Sequence, residues 1–164
     1  MKFVLLILIC FFSLQNSAQD SLKKLLQSHN SHSVPYITVQ ELAMPKTNLV
    51  ILDAREQKEY KVSHLKNAIY VGYNAFNIDS IQKRLNDKNE KIVVYCSLGI
   101  RSENIAQKLK KAGFKNVFNL YGGIFEWKNN DFAIVNMKGK ETDSIHAFSK
   151  SWSKWLTRGI KVYE

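Results

Sequence analysis

Two uninterrupted apolar runs constrain this chain more than any other feature: "NLVILDA" over residues 48–54 and "KIVVY" over residues 91–95. Neither alternates with polar residues, so neither suits the half-solvated strand of an open antiparallel sheet. A strand that is apolar on both sides has to be covered on both sides, as in a parallel sheet. Helical patterns separate and follow the runs. In "NIDSIQKRL", Ile78, Ile81 and Leu85 share one face, with Asp79 near the start. From Ser102 onward Ile105, Ala106, Leu109 and Ala112 form a stripe, Lys108, Lys110 and Lys111 turn away, and Gly113 fits the position just past the helix end. "PYITVQEL" reads as a short strand entering a helix, with Thr38 and Glu41 spaced as a capping box. "REQKEYKVSH" suits a short helix or loop, "AIYVG" and "NVFNL" two further strands, and "YGGIFEW" a glycine turn into a short helix. Strands alternating with helices predict an α/β fold, with a mostly parallel central sheet flanked by helices on both faces.

The segments outside this pattern have their own readings. Lys2, the apolar stretch Phe3–Phe12 and the polar "SLQNSAQD" with Ala18 are laid out as a secretory signal peptide over residues 1–18. Phe3 to Leu14 is too short for a bilayer core that needs ~20 helical residues. The expectation is export to the periplasm or medium with no stable membrane insertion after cleavage; an uncleaved anchor or a buried N-terminal strand is the alternative. Residues 19–34 form an N-terminal helix and linker, with "SLKKLLQS" amphipathic and "HNSHS" a polar hinge. Residues 35–130 hold the domain proper. Residues 131–164 form an extension packed on it: "FAIVN" as a strand, then a C-terminal helix carrying Ile145, Phe148, Trp152 and Trp155 at near-helical spacing, with His146 on it. The net charge of +10 favours anionic partners. The lysines are nonetheless scattered, which reads as a solvated surface and not as a nucleic-acid interface. Trp152 and Trp155 read as packing anchors, Trp127 as core, and the protein as a monomer.

The chemistry concentrates in "YCSLGIRSE", residues 95–103. Cleavage after Ala18 removes Cys10 and leaves Cys96 as the one thiol, without an intramolecular partner. It sits where a central strand ends and a helix begins, the edge at which sites gather in parallel sheets. Consecutive amides and a helix N-terminus there favour an anion and lower a thiol's pKa. Gly99 lets the loop curl, Arg101 can bind an anion, and Ser102 can cap the helix and donate to the sulfur. These parts suit a thiolate nucleophile beside a thiosulfonate, persulfide or phosphate. They need no metal and no cofactor.

With these residues in view the chain resembles the single-domain rhodanese-like sulfurtransferases, from about Ile37 to Trp127. "LDAREQKEYKVSHLKNAIYV" looks like the family's Asp-x-Arg, Glu-Tyr and His segment, "VVYCSLGIRS" like its Cys-x-x-Gly-x-Arg-Ser loop, and "LYGGIFEW" like its Gly-Gly-x-x-x-Trp stretch. The resemblance implies a Cys96 that takes a sulfane sulfur from a donor, holds it as a persulfide and passes it to a thiophilic acceptor. Ser97, Leu98, Gly99, Ile100, Arg101 and Ser102 would form the loop around the sulfur, with Arg101 aiding substrate binding and loop order. Asp53 and Arg55 read as an ion pair bracing the sheet near the site, His64 as a turn histidine near it, and Glu59 as a partner for Arg55 or a turn cap. The partner implied is a small sulfur-donor anion or a persulfide-bearing molecule or protein. Two departures matter. Ser63–Ala68 lacks the Pro and Gly that members often carry there, and Leu98 and Ile100 stand where thiosulfate-using relatives often have basic or polar residues. The related cell-division phosphatases place five residues between Cys and Arg, whereas this loop has four, a nest for one sulfur atom. A non-catalytic binding or redox-sensing module is the remaining alternative.

Overall fold

Both apolar runs become central strands. The computed structural model describes residues 21–45 and 49–163; the expected signal peptide, with Cys10, lies outside them. The chain divides into residues 1–31, in which a helix α1 over residues 21–29 is described, and residues 32–164, which hold the rest. In that second unit β1 (Tyr36–Ile37), β2 (Leu49–Asp53), β3 (Ile69–Tyr70), β4 (Lys91–Tyr95) and β5 (Asn116–Leu120) form one sheet in the order β1-β5-β4-β2-β3. Every pairing in it is parallel. The helices are α2 (Val39–Ala43), α3 (Gln57–Val62), α4 (Ile78–Arg84), α5 (Arg101–Lys111) and α6 (Gly123–Asn129). Register matters most between β2 and β4. It runs from Leu49 opposite Lys91 to Asp53 opposite Tyr95, so both strands end at one level.

Ile92 and Val94 of β4 join Leu52, Ile105, Ala106, Leu109, Phe114 and Val117 in one apolar cluster. Val93 and Tyr95 point the other way by the alternation of a strand and are equally buried. The sheet is therefore covered on both faces, as the unbroken runs predict. Each such fully buried aliphatic side chain contributes roughly 1.5–3 kcal/mol relative to exposure. Local signals hold where they are explicit. Thr38 and Glu41 close a reciprocal capping box on α2, with Glu41 N–H donating to Thr38 Oγ1 at 3.1 Å and Thr38 N–H to Glu41 Oε2 at 2.9 Å. Gly113 follows α5 at φ +93°. Helix α4 starts at Asn77, which caps Ser80 N–H at 3.0 Å.

The expected C-terminal helix is not formed. Residues 134–135 are a strand, as read, β6 (Ile134–Val135), paired antiparallel with β7 (Glu141–Thr142). Beyond it β8 (Ser144–His146) pairs in parallel with β9 (Ile160–Val162), and one 3-10 turn spans Ser153–Trp155. The near-helical spacing arises from a strand followed by a turn. Phe148 has φ +64°, which a right-handed helix cannot contain. The serines also compete for the backbone: Ser149 Oγ accepts from Trp152 N–H at 3.3 Å and Ser153 Oγ donates to Lys150 O at 2.8 Å. His146 is thus a strand residue, and Trp152 and Trp155 sit half-buried at the turn. Trp127 is half-buried too, packed on Phe132. No helix among the described residues is long and apolar enough to cross a membrane.

Candidate functional site

Cys96 directly follows β4, and its side chain lies where the chain bends back into α5. Helix α6 fixes the bend. Ile124 N–H donates to Cys96 O at 2.9 Å and Phe125 N–H to Ser97 O at 3.1 Å, which turns the first two loop carbonyls away from the sulfur. That contact requires Gly123: a Cβ there would stand 2.3 Å from Cys96 O and 2.8 Å from the Ser97 carbonyl, and φ is +56°. Farther along, Gly99 has φ +106° and its N–H donates to Cys96 Sγ at 3.1 Å, while its carbonyl accepts from Asn119 Nδ2 at 2.8 Å. Asn119, in β5, is the prop on which the loop rests.

Ser102 is not the helix cap. Ile100 holds that position and Ser102 lies within the first turn of α5, too deep to accept the end amides. Its hydroxyl has Asn119 Oδ1 at 2.7 Å and Cys96 Sγ at 3.5 Å, and its single proton serves one acceptor at a time. Cys96 is only 2% exposed, yet its surroundings are polar. Burial pushes the thiol up; the Arg101 charge, the Ser102 hydroxyl and the amides of Ser102 and Gly99 outweigh it and bring the pKa below its ordinary value.

Arg101 makes its hydrogen bonds away from the sulfur. Nη1 and Nη2 reach Glu59 Oε2 and Oε1 at 2.7 and 2.8 Å, and Nη2 also reaches Ser97 Oγ at 2.9 Å. Ser97 in turn donates to Glu59 Oε1 at 3.0 Å. Glu59 is buried; burial raises its pKa, but the Arg101 bonds and charge, then Arg55, hold it at about 2. Glu59 therefore partners Arg101 and not Arg55, besides accepting from Glu56 N–H at 2.9 Å in the turn before α3. Leu98 is turned into the core and Ile100 is half-buried.

Asp53 and Arg55 do form a buried ion pair, 2.7 Å from Nη2 to Oδ2. Arg55 Nη2 also donates to Ser63 O at 2.6 Å. The Tyr95 hydroxyl donates to Asp53 Oδ2 through a short hydrogen bond and accepts from Leu65 N–H at 3.2 Å. This cluster ties the ends of β2 and β4 to the Ser63–Leu65 turn. His64 stacks on Tyr60 with 4.0 Å between ring centroids, and its Nδ1 lies 3.1 Å from Tyr60 O. Its ring is committed to α3 and not to Cys96.

Sequence reasoning missed four residues. Asn119 carried a signal, since it is a polar residue inside an otherwise apolar strand. Tyr95 did not stand out within its run. His146 and Phe148 read from the sequence as helical, yet the Phe148 ring lies over the Arg101 guanidinium, 4.6 Å from ring centroid to Cζ. No group of three or more His, Cys, Asp or Glu side chains able to hold a metal occurs among the described residues.

Comparison with known proteins gives this geometry a context. The Rhodanese-like domain matches residues 38–130. Thiosulfate sulfurtransferase GlpE of Coxiella burnetii is 37% identical over 83 residues, 51% of this chain and 75% of that protein. The putative sulfur carrier protein YrkF of Bacillus subtilis is 33% identical over 105 residues, covering 61% of this chain and 54% of its own. Among solved structures, a rhodanese-related protein from Thermoplasma volcanium superposes with a TM-score of 0.54 at 25% identity, over 62% of this chain and 97% of that one.

Proposed function

The chain belongs to the Rhodanese-like domain family, and from that premise we propose that it is a sulfurtransferase carrying a sulfane sulfur on Cys96 as a persulfide. The Cys96 thiolate attacks the outer sulfur of a thiosulfonate or persulfide donor. A new S–S bond forms, the donor's S–S bond breaks, and its electron pair leaves with the rest of the donor, as sulfite when the donor is thiosulfate. A thiophilic acceptor then attacks the outer sulfur and returns Cys96 to the thiolate. The observation that carries this reading is Gly99 N–H aimed at Sγ from 3.1 Å in a loop whose first two carbonyls accept from α6 amides. Such oriented dipoles favour negative charge on the sulfur without reorganising during the reaction.

The test is incubation with thiosulfate or an organic thiosulfonate, then cyanide. The expected results are thiocyanate in solution and, before cyanide, a mass gain of one sulfur atom on the protein. Cys96→Ser abolishes both; sulfur transfer that survives this substitution removes the mechanism. The same proposal places the protein outside the cytosol, supported by Lys2, Phe3–Phe12 and Ala18. Recovery from the periplasm or medium of a chain starting just after Ala18 is the expected outcome, and a full-length cytosolic chain overturns it.

A further inference from the structure

Residues 144–149 lie beyond the 38–130 span that the family matches, yet they meet its central loop. Strand β8 packs on α3, the helix that carries Glu59. His146, at the end of β8, is wholly buried, and its Nδ1 accepts the Phe148 N–H at 3.0 Å. Ser149 N–H then closes onto Ala147 O at 2.7 Å, so Phe148 is the central residue of a three-residue turn with φ +64°. The positive-φ form of that turn is rare and strained, and a bulky side chain in it is an outlier. These two hydrogen bonds hold the turn, and with it the Phe148 ring, 42% exposed, over the guanidinium of Arg101. Both terminal nitrogens of that guanidinium already engage Glu59 or Ser97. The loop's one cation is therefore tied along its edge and covered on a face, and what meets the solvent there is aromatic.

We propose that Phe148, set in place by His146, is a specificity-determining residue that selects sulfur donors with an aryl or alkyl body over a small inorganic dianion. This rests on the sulfur-transfer reading above and names its substrate class. An organic donor packs its body on the exposed ring while its sulfane sulfur reaches Cys96, whereas thiosulfate finds the Arg101 charge screened. With benzenethiosulfonate as the probe, the thiolate takes the terminal sulfur, the sulfur–sulfur bond breaks and benzenesulfinate departs with the electron pair. His146 acts as a positioning residue. Burial, with Lys58, Arg55 and Arg101 near it and Glu59 opposing, lowers its pKa, in keeping with an Nδ1 that accepts the Phe148 N–H.

The experiment compares kcat/KM for benzenethiosulfonate and thiosulfate, with cyanide as acceptor, in the wild type, Phe148→Gly and Phe148→Tyr. Glycine adopts the positive φ without strain, which offsets part of what the lost ring contacts with Arg101 and Trp152 contributed. The ratio of organic to inorganic donor is expected to fall about 10-fold in Phe148→Gly, and Tyr to preserve it. His146→Asn, whose carbonyl can accept the same N–H two residues on, keeps the ratio; His146→Ala lowers it as Phe148→Gly does, with no further loss in the double variant. A ratio unchanged in Phe148→Gly overturns the proposal. A second readout is independent of sulfur transfer: the rate of Cys96 alkylation by anionic iodoacetate relative to neutral iodoacetamide, expected to rise about threefold in Phe148→Gly as the cation is uncovered. If neither donor loads wild-type Cys96, the sulfur-transfer reading falls, and the alkylation ratio still decides whether Phe148 screens Arg101.

Discussion

Arg101 acts on Cys96 through its charge, because its hydrogen bonds run to Glu59 and Ser97. A charge and a donor predict different mutants. Arg101→Gln removes the charge, so the midpoint of the pH-dependent alkylation rate of Cys96 rises toward the ordinary 9.0. Arg101→Lys keeps a cation but loses the two-pronged grip on Glu59. Its midpoint is expected to lie nearer the wild-type value, while its thermal stability falls. Iodoacetamide kinetics across the pH range measure both; equal midpoints in wild type and Arg101→Gln refute the electrostatic account. The fourfold polar environment of one sulfur also explains how a thiol can be almost wholly covered and still poised. Gly99 and Ser102 supply oriented donors in place of the water that burial removes.

Among elements, α6 has the most specific task, and Gly123 tests it. Gly113 and Gly123 both have positive φ, but a Cβ at Gly113 meets nothing within 4 Å, whereas at Gly123 it strikes the Cys96 and Ser97 carbonyls. Gly113→Ala is expected to cost roughly 1 kcal/mol from backbone conformation alone. Gly123→Ala should cost at least about 2 kcal/mol and lose persulfide loading as well, because the clamp on the loop must open. Chemical denaturation with sulfur loading by mass spectrometry separates the two, and a Gly123→Ala protein that loads normally contradicts the clamp. The same contrast shows what the sequence makes legible. The unbroken runs of β2 and β4, the Thr38–Glu41 box and the glycine pair that opens α6 are local signals, and each forms as read. The C-terminal segment misleads because Ile145, Phe148, Trp152 and Trp155 meet a period of 3.6 by coincidence, and periodicity carries no information about the positive φ at Phe148. The Arg101 partner was illegible for another reason: Glu59 lies 42 residues away, and only the register of Asp53 with Tyr95 brings the segments after β2 and β4 to one edge.

For the whole molecule, that long-range pair becomes a link between acidity and folding. Glu59 titrates near 2 in the folded chain against an ordinary 4.5, so the folded state binds its proton less readily than the unfolded state. A depressed carboxylate stabilises the fold fully above about pH 4.5, and this contribution disappears as the pH falls toward 2. Its size is on the order of 3 kcal/mol, a sizeable share of the roughly 5–15 kcal/mol that holds a domain of this kind together. Glu59→Gln cannot ionise, and it leaves the Arg101 charge without its carboxylate. The variant is expected to be less stable than the wild type at pH 7 and to approach it as the pH falls from 4.5 to 2, since only the wild type has this contribution to lose. Urea midpoints across that range give the two curves. Parallel curves mean that the pair contributes no linkage, and the tether between α3 and the Cys96 loop would then be ordinary packing.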